Sequence, residues 1–95
     1  MSIVHNRFFN DTVQSLRFDH GDAGATVGVM LPGTHVFQLK APETMTVVAG
    51  QMWVSINDAP EFTAPAGTVF EAPANAKLQM RCTVDTAYLC QFHLG

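Results

Sequence analysis

The sequence predicts an all-β chain folded as a barrel or sandwich. Nine short segments are rich in Val, Thr, Phe, Met and Tyr, residues that fit a pleated, half-buried surface. Turn-forming residues separate them at close intervals. No window carries apolar residues at sustained spacings of three and four, so no helix is predicted. Many short strands with regular turn signals are the pattern of sandwiches and barrels.

In chain order the predicted strands are 13–18 (VQSLRF), 25–31 (ATVGVML), 34–40 (THVFQLK), 43–50 (ETMTVVAG), 51–57 (QMWVSIN), 61–64 (EFTA), 68–72 (TVFEA), 77–83 (KLQMRCT) and 86–94 (TAYLCQFHL). The turns between them are HGDAG (20–24), PG (32–33), AP (41–42), AG (49–50), NDAP (57–60), PAG (65–67) and APAN (72–75). Side chains alternate across a strand, which assigns faces. His35, Phe37 and Leu39 share one face. Met52, Val54 and Ile56 form an apolar face opposite Trp53, Ser55 and Asn57. Leu78, Met80 and Cys82 oppose Lys77, Gln79, Arg81 and Thr83, and Tyr88, Cys90 and Phe92 oppose Ala87, Leu89, Gln91 and His93. The apolar sets are expected to line the interior.

The 95 residues suffice for one domain. A chain of this size buries roughly 64% of its unfolded surface. Only 14% of residues are charged, so a partner subunit is expected to cover part of the surface, and a homodimer is expected. Trp53, Phe8 and Phe9 are candidates for that interface. The net charge is −3 and the five Lys and Arg are scattered singly, which excludes the basic stripe of a nucleic-acid partner. No apolar run is long enough for a membrane-spanning helix. The N-terminal MSIVHNRFFNDTV lacks a basic start, an apolar run and a small-residue cleavage site, and the expected location is the cytoplasm. Cys82 and Cys90 lie on adjacent predicted strands, where a disulfide is geometrically conceivable, but in that reducing compartment both are expected to be buried thiols.

The turn skeleton resembles that of a cupin. Cupins carry two motifs, roughly G-x5-H-x-H-x3,4-E-x6-G and G-x5-P-x-G-x2-H-x3-N. Gly28, then Glu43 with six residues to Gly50, then Pro65-x-Gly67 follow that skeleton. The resemblance implies a single cupin domain over residues 1–95, a double-stranded β-helix or jelly-roll-like barrel. The metal ligands do not follow. The expected His pair falls on Phe37 and Leu39 or on Thr34 and Val36, and the second-motif His falls on Phe70. His35 and Glu43 remain, two donors where catalytic sites ordinarily need three. No metal is therefore expected. Phe37, Phe70 and Tyr88 either fill a small barrel or line a flat pocket that suits a planar ring.

Asn6 to Phe9 (N-x-x-F), TVGVMLPG (26–33), Phe37, PETMTVVAGQMWV (42–54), AGTVFEAPAN (66–75) and YLCQF (88–92) together resemble the small cupin-type pyrimidine/purine nucleoside phosphorylases over nearly the whole chain. The resemblance implies cleavage of nucleosides by inorganic phosphate, the co-substrate, to free base and ribose 1-phosphate, with no cofactor. On that reading Glu43 and His35 are the candidate catalytic residues. Glu43 contacts the ribose or its developing positive charge, and His35 or Tyr88 donates near the base or phosphate. Phe37, Met45, Phe70 and Tyr88 are the candidate substrate-binding residues. Nucleosides and phosphate are the expected partners, with neither nucleic acid nor membrane.

Some positions depart from the family pattern. The G-E-Y-x-F stretch is here Gly33-Thr34-His35-Val36-Phe37, a Thr is here Leu39, and the C-terminal Arg is here Gln91. The cations considered for the anion, Arg81 and Lys40, fall on the outward face by alternation; Lys40 near its strand end, or backbone N–H groups of the glycine-containing turns, are the candidates that remain. A metal-free cupin that binds a small aromatic or sugar-like ligand without turnover is the competing expectation.

Overall fold

The computed structural model describes residues 2–94. Ten strands follow one another: β1 (Val4–Phe8), β2 (Val13–Phe18), β3 (Ala25–Met30), β4 (Gly33–Gln38), β5 (Glu43–Ala49), β6 (Gln51–Ile56), β7 (Phe62–Pro65), β8 (Val69–Ala72), β9 (Lys77–Cys82) and β10 (Thr86–Phe92). None of the described residues is helical, so none forms a helix able to cross a membrane. A six-stranded sheet runs β1-β2-β3-β10-β5-β8, and a four-stranded sheet runs β4-β9-β6-β7. Every strand pair is antiparallel. The two sheets close over one another as the barrel of the cupin fold.

On β6, β9 and β10 the interior follows the alternation read from the sequence. Met45 and Val47 of β5, Met52 and Val54 of β6, Leu78 and Met80 of β9, and Tyr88 and Cys90 of β10 all point inward and are buried. Val13 of β2 and Met30 of β3 complete that core at one end. The cysteines are free and buried. Although consecutive in sequence, β9 and β10 lie in different sheets, so Cys82 and Cys90 are not on paired strands.

β1 is the strand the sequence did not reveal. Its residues VHNRF are polar at three of five positions and mostly exposed, because β1 pairs only with β2 at the sheet's edge. The turn that follows holds Phe9, Asn10 and Asp11 at φ 53°, 55° and 66°. Left-handed backbone costs about 1–2 kcal/mol per residue, least for Asn and Asp. The Thr12 hydroxyl donates to the Phe9 carbonyl at 2.7 Å, and the Gln14 amide donates to the Asp11 carbonyl at 3.1 Å, fixing the turn. Its product is a ring placement: Phe8 and Phe9 each meet Phe37 edge-on at 5.2 Å.

Candidate functional site

Between the sheets, at the end where β2 and β10 finish and β3 and β5 begin, lies a cavity of about 350 Å³. That is the lower end of the range for small-molecule sites, about 300–1,000 Å³. Cross-strand pairing explains which side chains reach it. One row across the six-stranded sheet reads Arg17, Thr26, Cys90, Met45. The adjacent pair at the end of β10 is Phe92 with Glu43. The next row inward reads Asn6, Ser15, Gly28, Tyr88. All of these except Gly28 line the cavity. The four-stranded sheet supplies the facing wall with Phe37, Leu78 and Met80.

Gly28 sits beneath Tyr88. A Cβ there would stand 2.5 Å from the Tyr88 ring and hydroxyl, so a side chain on β3 at this point would displace the ring. Laid over the glycine, Tyr88 reaches across toward Ser15. Burial pushes the phenol up to about 12, and a hydrogen bond with Ser15 opposes part of that rise. At neutral pH the group is a phenol and can donate.

Glu43 opens β5 directly after Pro42 and is 9% exposed. The Cys90 thiol donates to its Oε1 at 3.0 Å. Burial raises the carboxyl above its usual 4.5, and the thiol's hydrogen bond works against that rise. The Cys90 thiol itself is pushed up by burial and then by the neighbouring Glu43 charge, so it stays protonated. The arrangement is a carboxylate held in a part-apolar cavity by a neutral donor, able to face a developing cation.

Four of the residues singled out from the sequence meet at this cavity: Phe37, Glu43, Met45 and Tyr88. His35 and Phe70 do not line it. His35 lies two residues before Phe37 on the same face of β4. Its Nε2 is 2.9 Å from the Leu31 carbonyl and its ring packs on Phe9 at 5.5 Å, so it ties the β3–β4 turn to the barrel's end. Phe70 pairs with Met45 but belongs to β8, one strand further out. Its ring meets Phe62 of the opposite sheet edge-on at 5.4 Å and closes the barrel's side there. Trp53 is half-buried under the Arg81 guanidinium, 4.5 Å from its ring, rather than free on the surface.

From sequence, Phe8 was expected at a subunit interface rather than in a ligand cavity, and Arg17 had no assigned role. Phe8 was hidden with its strand. Arg17 shares the inward face of β2 with Val13 and Ser15, but Val-Ser-Arg opposite Gln-Leu-Phe gives no apolar side to choose. Its Nη2 donates to the Ala23 carbonyl at 2.8 Å and its guanidinium stacks 4.9 Å from the Phe92 ring. Among the described residues no three His, Cys, Asp or Glu side chains gather as a metal site.

Residues 3–92 match the family described as pyrimidine/purine nucleoside phosphorylase. A protein of that name from Pseudomonas fluorescens is 43% identical over 88 residues, which cover 92% of this chain and 94% of the relative. Another from Tolumonas auensis is 44% identical over 88 residues, covering 92% and 95%. A crystal structure of a protein of unknown function from Vibrio parahaemolyticus superposes with a TM-score of 0.89 at 38% identity, covering 95% of this chain and 97% of that one.

Proposed function

The chain belongs to the pyrimidine/purine nucleoside phosphorylase family, and from that premise we propose that it cleaves purine and pyrimidine nucleosides with inorganic phosphate and without a metal ion. The observation that carries the reading is the buried Glu43 carboxylate in a cavity walled by aromatic rings and by the Tyr88 phenol. A phosphate oxygen bonds to C1′ of the sugar as the C1′–N bond breaks. The electron pair of that bond leaves with the base, and the proton of hydrogen phosphate ends on the base. Charge therefore develops at two places. The sugar becomes cationic, and Glu43 faces it. The base becomes anionic, and Tyr88 donates to it.

His35, already bonded to Leu31, leaves the donor role to Tyr88. Phe8 and Phe37, packed edge-on to each other, form an aromatic wall on which the base stacks its π-face, which every base presents. Phe8 thus supplies the aromatic wall that Phe70, turned toward Phe62, does not. The independence from a metal rests on the donor set. Among the described residues, Glu43 and Cys90 are the only ordinary metal-ligating side chains lining the cavity, and they are hydrogen-bonded to each other.

We also propose a homodimer in the cytoplasm, the reducing setting that suits two free thiols. Its interface is the outer face of the six-stranded sheet. There one cross-strand row reads His5, Leu16, Val27, Leu89, Thr46, Val69, with Val29 beside it. Leu16, Val27, Val29 and Val69 are about half exposed. The row holds no carboxylate, Lys or Arg, so a second copy meets it without like-charge repulsion. A concentration-independent monomer mass by light scattering would contradict the dimer.

The reaction is tested by chromatography of uridine, adenosine and guanosine incubated with chelator-treated protein, with and without phosphate. Base release that requires phosphate and survives chelation is expected. No release from any of the three would hand the cavity to the non-catalytic reading, a metal-free cupin holding a small aromatic or sugar-like ligand.

A further inference from the structure

We infer that Arg17 is the anion subsite of the cavity and takes the phosphate that attacks C1′. The ligand comes from the phosphorolysis reading; the site itself comes from geometry. Among the described residues, Arg17 is the only cationic side chain lining the cavity. Arg7, Lys77 and Arg81 are each paired with a carboxylate, at 3.5, 2.8 and 3.0 Å respectively. Arg81, one of the two cations that sequence alone offered for this task, is held twice by Glu61 and lies over Trp53. Lys40, the other, is exposed and does not line the cavity. Arg17 has no carboxylate within 4 Å among the described residues.

Its orientation is nevertheless set. One N–H goes to the Ala23 carbonyl, and one face rests on Phe92. Gly24 makes room for it, since a Cβ there would stand 2.6 Å from Nη2. The other guanidinium N–H groups remain for an oxyanion, which a planar fork binds in pairs. A guanidinium fixed in orientation, with no carboxylate already on it, is ready to take an oxyanion from solvent.

The position also suits the chemistry. Phe8 pairs with Val13, and Arg17 lies four residues further along β2, about 13 Å at the strand's rise. Glu43 lies at the Arg17 end, beside Cys90 and opposite Phe92. A nucleoside with its base on Phe8 and Phe37 therefore brings C1′ toward Glu43 and leaves the phosphate side of C1′ to Arg17. Thr26, paired with Arg17, adds a hydroxyl at the same spot.

The test compares wild type, Arg17→Gln and Arg17→Lys, with Arg81→Gln as an arginine outside the cavity. Two readouts are taken: the Kd of inorganic phosphate by calorimetry, and the KM for phosphate against the KM for nucleoside. Arg17 is exposed at its rim, so circular dichroism and Tm should show an intact fold in each variant. The expected result is a rise of about tenfold or more in phosphate Kd and KM for Arg17→Gln, a smaller rise for Arg17→Lys, and an unchanged nucleoside KM. Arg81→Gln should match wild type. Unchanged phosphate binding in folded Arg17→Gln overturns the assignment, as does a wild type that binds no phosphate. Phosphate binding that depends on Arg17 in a protein that releases no base would keep the subsite and sink only the reaction.

Discussion

The two sheets enclose one interior but contribute different chemistry to it. The inner face of the six-stranded sheet carries Arg17, Ser15, Thr26, Glu43, Tyr88 and Cys90, a set of polar groups joined by a thiol–carboxylate bond and a phenol–hydroxyl contact. The four-stranded sheet turns Met52, Val54, Leu78 and Met80 inward, with Phe37 at the cavity. One sheet therefore holds groups that can bind and move charge, and the other supplies the apolar backing that keeps water away from them. Stability and activity should accordingly be separable by sheet.

The largest expected effect is on the apolar side. Met52 is fully buried on β6, so Met52→Ala should cost about 3 kcal/mol and lower Tm by more than about 10 °C in thermal unfolding. Well below the transition its kcat/KM should match wild type; a large activity loss in still-folded protein would dissolve the distinction between sheets. On the polar side, Glu43→Gln should lower kcat/KM about a hundredfold, or about 2.7 kcal/mol. Its stability should move the other way. Burial raises the Glu43 carboxyl above 4.5, so the native state binds more protons than the unfolded one above that value. Wild-type stability then falls as pH rises from about 4.5 through the raised value, and Glu43→Gln should lack that fall in denaturant titrations. An unchanged kcat/KM in the variant would remove Glu43 from the mechanism.

A smaller effect sharpens the comparison at high pH. Tyr88 is the single tyrosine, so tyrosinate absorbance reports it alone. Its phenol is raised from 10.0 to about 12, so the fold keeps its full stability below pH 10 and loses on the order of 2 kcal/mol as pH climbs to about 12. The native protein should titrate near 12 and the denatured chain near 10. A native midpoint near 10 would place the phenol in water and break the picture of an apolar-backed polar site.

Alternation made most of the barrel legible. β2 matches the predicted span, β3 to β10 differ by a residue or two at their ends, and the inward faces of β6, β9 and β10 are those the pattern assigned. β1 was illegible because an edge strand with one neighbour needs no apolar face. The site was legible where a side chain is forced inward by its neighbours, as with Glu43 between Pro42 and Met45. It was not legible where position depends on a partner distant in sequence. Phe70 turns away because Phe62 is there to meet it, and His35 because Leu31 offers a carbonyl. Arg17 enters the site because the β2–β3 turn brings Gly24 and Ala23 around its head.

The place of β10 bears on how the protein is made. Ribosomes deliver β3 and β5 well before β10, yet β10 is the strand that lies between them. Until it emerges, the larger sheet exists as two fragments, β1-β2-β3 and β5-β8, each with an open edge. Tyr88, Cys90 and Phe92 arrive on β10, so closure of this sheet and completion of the cavity are one event. A nascent chain halted before β10 has no half-built enzyme to show, only two sticky edges, and chaperone demand should peak at that stage of synthesis.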